Sequence, residues 1–318
     1  NSTRPAGPKP MAWRKALVRK LPHRVATHTT RSFSTYSLIS LATNATKNEN
    51  KGNDALKSII DFSRYPLNEP DGHALAAIVD NTRASLAETG AATFPGFLLP
   101  EALARAAAEV GEKAQRAHVT HAEHNMYQLP DGDPRLPLDH VRNRKVETRV
   151  ASLAYDELDD RGTLKQLYRY DGLVEFIGRV IGQRQLYRLA DPLGACSVNI
   201  FRPGWSHGYH FDEAEYTTTL CLQTAETGGA FVHSPRIRAS NEDMAYERVQ
   251  DVVSGTLPTS TLSFAPGTLS IFAGRYSLHA VEEVRGRRDR LVAVLCFATR
   301  EGQKNSVDVQ EMFWGRSL

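Results

Sequence analysis

Residues 195–223 read ACSVNIFRPGWSHGYHFDEAEYTTTLCLQ. Two runs rich in apolar and β-branched residues, ACSVNIF and YTTTLCLQ, flank a Pro-Gly turn and a shorter run, YHF, and runs of this length between turn residues read as strands. Outward from this stretch, between Gln183 and Ala298, the pattern recurs in LYRL, GAFVH, TLSFAPGTLSIF, YSLHAV and RLVAVLCFA. Eight short, regularly spaced strands with no helical periodicity between them predict an antiparallel barrel or jelly roll.

Upstream the period changes. Leu75, Ile78, Val79 and Leu86 recur at helical spacing, Gly90–Phe97 reads as a strand between turns, and Pro100-Glu101 opens a further helix through Val110;. Residues 118–145, rich in His, Pro, Asp and Asn, read as a long loop, and 152–183 return to helical spacing through Leu164, Leu167, Leu173, Phe176 and Ile177;. The expected class is mainly β with α. A double-stranded β-helix (jelly roll, cupin-like) core over 184–300 is buttressed by helices over 55–183 and closed by a C-terminal segment, 301–318.

The 318 residues are 41% hydrophobic and 24% charged, an ordinary globular composition that excludes collagen-like and low-complexity classes;. No apolar run reaches the ~18–20 residues of a membrane span. The net charge of +3 is unevenly placed. Nine Lys and Arg fall in residues 1–48, where Asp and Glu are absent, so the remainder carries −6. That remainder offers no electrostatic reason to bind nucleic acid. Residues from Met11 to about Ser40, basic, Ser/Thr-rich and acid-free, have the composition of an organellar transit peptide, mitochondrial or plastid, and residues 1–10 precede the first methionine;. Three cysteines in apolar stretches, Cys196, Cys221 and Cys296, argue against a disulfide framework and for a reducing, intracellular compartment;.

His210 and Asp212 flank Phe211 on one short strand, and a side-chain period of two puts both on the same face;. His279, with 66 residues intervening after Asp212, occupies another strand-like run. Two imidazoles and one carboxylate on facing strands form a facial triad for Fe(II) with positions left for small ligands. Arg290, eleven residues beyond His279, heads the strand RLVAVL, where a guanidinium fork suits a carboxylate such as that of 2-oxoglutarate;.

On these residues the sequence resembles the Fe(II)/2-oxoglutarate-dependent dioxygenases. The stretches DPLGA (191–195), ETGGAF (226–231), GRYSLH (274–279) and RLVAVL (290–295) are similar to the branch of free-amino-acid radical halogenases and hydroxylases, with the algal kainoid synthases as a further relative. The resemblance implies Fe(II) as metal, 2-oxoglutarate as cosubstrate, O2 as oxidant and a small amino-acid-like substrate of secondary metabolism. In the halogenases of that branch a glycine replaces the metal-binding carboxylate; here Asp212 is present, so hydroxylation with release of succinate and CO2 is expected. Oxidative ring closure of an N-prenylated glutamate is the alternative, and a non-catalytic cupin-like binding protein the rival from another class. Carried over by position, His207 joins the cofactor side of the pocket. Glu213, an aromatic supplied by Trp314 or Phe313, and one of Arg144 or Arg149 meet the substrate, with Arg275 as a further cationic contact. Val294 and Cys296 stand where lysine-specific members carry polar groups, which argues against lysine itself. The run His118, His121 and His124 has no fourth ligand and reads as a solvated loop end.

Overall fold

A computed structural model describes residues 55–129, 132–240 and 242–318. The basic leader expected over 1–48 lies outside the described residues. Helix α1 (His73–Thr89) buries Leu75, Val79, Thr82 and Leu86 at three- and four-residue intervals;. It stops at Gly90, whose left-handed φ of 69° lets its N–H return to the Leu86 carbonyl;. Strand β1 (Ala91–Phe94) leads to helix α2 (Pro100–Lys113), opened by a proline whose missing N–H is one the first turn cannot use;. Strands β2 (His118–Asn125) and β3 (Lys145–Leu153) precede helices α3 (Thr163–Tyr168) and α4 (Asp171–Ile181).

The remaining chain is mostly short strands. They are β4 (Tyr187–Arg188), β5 (Cys196–Phe201), β6 (His207–His210), β7 (Thr217–Gln223), β8 (Thr227–Gly228) and β9 (Phe231–Ser234), then helix α5 (Tyr246–Ser254). After it come β10 (Ser260–Thr261), β11 (Leu269–Phe272), β12 (Leu278–Val281), β13 (Val284–Arg285), β14 (Arg290–Leu295) and β15 (Phe297–Ala298), with helix α6 (Val307–Trp314) last.

Eleven strands form one sheet in the order β1-β11-β7-β14-β5-β3-β6-β12-β9-β10, with β2 on β3. Strand β3 joins the two halves, pairing Ala151–Leu153 with β5 and Thr148 with His207 of β6. Residues of β5, β7 and β14 line the same cavity as residues of β6 and β12, so the halves close over one interior. Alternation sorts the side chains. On β14, Leu291, Ala293 and Leu295 join the core beneath the helices, while Arg290, Val292 and Val294 face the cavity;. Leu164, Leu167, Phe176 and Ile177 of α3 and α4 fill the outer side of that core. Each such burial stabilises by roughly 1.5–3 kcal/mol, so one wall of the site is held by the packing behind it.

The jelly-roll core and its buttressing helices are as expected from the sequence, with two corrections. Residues 118–125 and 145–153, expected as loop and helical buttress, are strands of the main sheet. Thr148, Val150 and Ser152 are buried while Lys145, Glu147 and Arg149 are exposed, a period of two that charged residues obscured;. Helix α5 also interrupts the strand series expected to be helix-free. Among the described residues no helix is long and apolar enough to cross a membrane.

Candidate metal centre and active-site cavity

His210 and His279 are direct cross-strand partners on β6 and β12. Each Nδ1–H donates to a backbone carbonyl at 2.8 Å, His210 to Gly208 and His279 to Ser277. With Nδ1 so engaged, both rings present Nε2 to the interior. The backbone N–H of Asp212 donates to the Gly274 carbonyl at 3.1 Å. Its Oδ1 then lies 3.5 Å from His210 Nε2 and 3.3 Å from His279 Nε2. The three ligand atoms fall within 4.8 Å of one another, a spacing one small cation spans;. Thr217 Oγ1 donates to Asp212 Oδ2 at 2.5 Å, occupying the oxygen that the histidines do not face. Gly274 is required beside it, because a Cβ there would stand on the Asp212 carboxylate.

Two of the three groups are held in their metal-binding protonation states, and the third shares a proton with Asp212;. Burial, reinforced by His279, pushes His210 down to about 4. Burial alone would raise the Asp212 carboxyl, but the flanking His279 and His210 hold it well below its usual range. Burial opposes a charge on His279 too, yet the Asp212 carboxylate outweighs it and raises the imidazole above its usual value. A divalent cation would replace that proton as the partner of Asp212. Two nitrogens and one hard oxygen on one side of an open space suit Fe(II).

The cavity beside the triad has a volume of about 280 Å3. Arg290 enters it from β14, 4% exposed, its guanidinium 5.5 Å from the Phe201 ring centre and 5.1 Å from that of Phe264. Burial pushes its pKa down to about 10, so it remains cationic at neutral pH, and no carboxylate stands among the groups acting on it. A buried cation without an acidic partner among the described residues suits an anionic ligand, and the guanidinium fork suits a carboxylate;. The site therefore fits both Fe(II) and 2-oxoglutarate.

His207, Glu213 and Trp314 line this cavity, as do Val294 and Cys296. His207 stacks on His210 with ring centres 3.8 Å apart. The buried indole N–H of Trp314 has no partner among the described residues, and Gly194 admits its ring, since a Cβ there would collide with it. The three expected arginines lie elsewhere. Arg275 donates to the backbone carbonyl of Glu213 and is outside the lining. Arg149 is exposed and lies over Trp205 at 4.7 Å, and Arg144 is exposed in the turn before β3. Alternation along β3 explains Arg149, which shares the solvent face with Lys145 and Glu147;. Sequence reasoning missed Gln128, Ser152 and Asn199 in the lining. Ser152 Oγ donates to Asn199 Oδ1 at 3.1 Å, a pair that the inward period of β3 and β5 would have located.

A family model described as Halogenase D (HalD) matches residues 76–314. No curated protein matches the chain. Among solved structures, the fold is similar to an oxidoreductase of the 2OG-Fe(II) oxygenase family from Burkholderia pseudomallei, at 19% identity and a TM-score of 0.45 over 71% of this chain and 92% of that one. The epimerase SnoN from nogalamycin biosynthesis, solved with Fe3+, alpha ketoglutarate and nogalamycin RO, matches at 14% identity and a TM-score of 0.49 over 70% and 84%. A Pseudomonas putida prolyl-4-hydroxylase matches at 15% identity and a TM-score of 0.41 over 69% and 96%.

Proposed function

The chain belongs to the halogenase D family and is an Fe(II)- and 2-oxoglutarate-dependent oxygenase, and from that premise we propose that it hydroxylates an unactivated C–H bond of a small amino-acid-like molecule. When bound, iron with 2-oxoglutarate and O2 supplies the abstraction of hydrogen from carbon, with succinate and CO2 released. The residues of this chain do the rest. His210, Asp212 and His279 hold the metal, and Arg290 pairs with a carboxylate of 2-oxoglutarate. Val292 and Phe272 keep that part of the cavity apolar. Glu213, on the cavity wall, offers a carboxylate to a substrate ammonium group, and Trp314 and Phe313 add aromatic surface to the lining.

The observation that carries hydroxylation rather than halogenation is Asp212. Its carboxylate, fixed by Thr217, occupies a third protein ligand position between the two histidines, and that leaves a halide no vacated place there;. Screening free amino acids and their simple N-substituted derivatives for succinate release tests the reading, with mass spectrometry of the product in chloride buffer. A gain of one oxygen is expected. A chlorinated product overturns it.

A further inference from the structure

From the metal ligands to Arg290 the cavity wall is a row of rings. The Phe231 ring stacks on that of His279 with centres 5.4 Å apart, Phe264 stacks on Phe231 at 6.5 Å, and the Arg290 guanidinium lies 5.1 Å from the centre of Phe264. Phe272 packs against both rings of the first contact, 4.8 Å from Phe231 and 5.2 Å from His279. Three contacts thus lead from a metal ligand to the buried cation.

The sheet fixes each member of the row. Phe231 opens β9 opposite Val281, two residues from the point where β9 meets His279. Phe264 belongs to the loop between β10 and β11, which is pinned on either side of it. The Leu262 N–H donates to the Phe231 carbonyl at 3.0 Å, and the Gly267 N–H to the Cys221 carbonyl at 2.8 Å. Phe201, the register partner of Arg290 on β5, brings a second ring to the guanidinium, 5.5 Å away. Gly229 lets the arginine stem pass, because a Cβ there would stand 3.2 Å from its Cδ. With rings as neighbours and no acidic partner among the described residues, the guanidinium is oriented before any ligand arrives;.

A wall of packed rings yields little, so the separation between the metal ligands and the guanidinium is fixed. A 2-oxo acid whose oxo end lies at the metal reaches Arg290 with its far carboxylate only if the carbons between match that separation. 2-Oxoadipate, one methylene longer than 2-oxoglutarate, would have to buckle against Phe231 and Phe264. We infer that this row selects the chain length of the 2-oxo acid, with Phe264 as the specificity-determining residue. The inference rests on Arg290 as the anchor of 2-oxoglutarate and adds what measures the ligand held there.

Phe264 is also the member best suited to substitution, since it is half-buried on a loop whereas Phe231 is part of the core. The test is anaerobic titration of the Fe(II)-loaded protein with 2-oxoglutarate and with 2-oxoadipate, followed through the visible charge-transfer band of the chelate, in the wild type, Phe264→Ala and Phe264→Leu. Circular dichroism confirms the fold. One methylene in a fitted apolar pocket discriminates by about ten- to two-hundredfold, so the wild type is expected to prefer 2-oxoglutarate by at least about tenfold. Phe264→Ala frees the guanidinium and opens the wall. 2-Oxoglutarate should then weaken by about three- to tenfold, the cost of ordering one long side chain on binding, while 2-oxoadipate does not weaken, and the preference falls towards unity. Phe264→Leu, which returns apolar volume without the ring face, should lie between the two. A wild-type preference near unity, or both acids weakened alike in the variants, as a merely structural loss would give, overturns the inference and leaves Arg290 as the anchor. No band with 2-oxoglutarate in the metal-loaded wild type overturns the anchor and this inference together.

Discussion

Replacing Thr217 by valine removes one hydrogen bond and almost no volume. In the structure Thr217 Oγ1 donates to Asp212 Oδ2 at 2.5 Å, and the other oxygen of the carboxylate faces both histidines. Without that donor the carboxylate loses the partner that selects which oxygen points at the metal. A hydrogen bond to a charged acceptor contributes about 1.5–3 kcal/mol, and each 1.36 kcal/mol is a factor of ten. Fe(II) binding should therefore weaken by about tenfold to hundredfold, in line with the loss seen when groups supporting a metal ligand are removed. The assay is anaerobic Fe(II) titration of the wild type, Thr217→Val and Thr217→Ser, with circular dichroism to confirm an intact fold. Thr217→Ser, which keeps the hydroxyl, should bind within a few-fold of the wild type. Wild-type affinity in a folded Thr217→Val variant would refute the positioning role.

Three further outcomes follow from the same geometry. Arg290→Gln should weaken 2-oxoglutarate by at least about thirtyfold in equilibrium binding, since truncating one partner of a buried charge pair costs about 2–5 kcal/mol; the ligand-free protein should keep its melting temperature, because the arginine has no acidic partner to leave behind. Gly274→Ala puts a methyl group on the Asp212 carboxylate and should abolish iron binding while the fold survives, as judged by metal analysis of the folded protein. Burial tends to raise the Asp191 carboxyl, but N–H donors from Gly194, Leu193 and Asn305 and the Gln310 amide outweigh it and hold it below its usual value. A lowered folded-state pKa means that its stabilisation is complete above the unfolded value of about 3.9 and is lost as pH falls through the folded one. Asp191→Asn should thus melt lower than the wild type at pH 7, with the gap closing as the pH falls below that unfolded value; a gap constant with pH would contradict the assignment;.

The metal site was legible because each of its parts carries a local signal. The His-x-Asp spacing on a strand dictates a shared face, and His279 and Arg290 each sit in or at the head of an unmistakable apolar run;. What lay hidden was the part of the sheet whose strands face water on one side. His118–Asn125 pairs along its length only with β3 and carries His or Glu at half its positions, so its composition resembles a loop although its backbone is fully extended. The error propagated to the arginines. Once 145–153 is a strand, Val150 inward places Arg149 outward, and its ring contact with Trp205 follows. Gln128 carried no signal of its own, because its position is set by a local turn in which Asn125 Oδ1 accepts from the backbone N–H groups two and four residues on;.

The central claim is that His210, Asp212 and His279 hold Fe(II) beside a 2-oxoglutarate anchored by Arg290. Anaerobic titration with Fe(II) and 2-oxoglutarate tests it most directly, through the visible charge-transfer band of the chelate in the wild type and in His210→Ala. The band should grow to saturation in the wild type and be absent from the variant. No band in metal-loaded wild-type protein, or an equal band in both proteins, would contradict the claim.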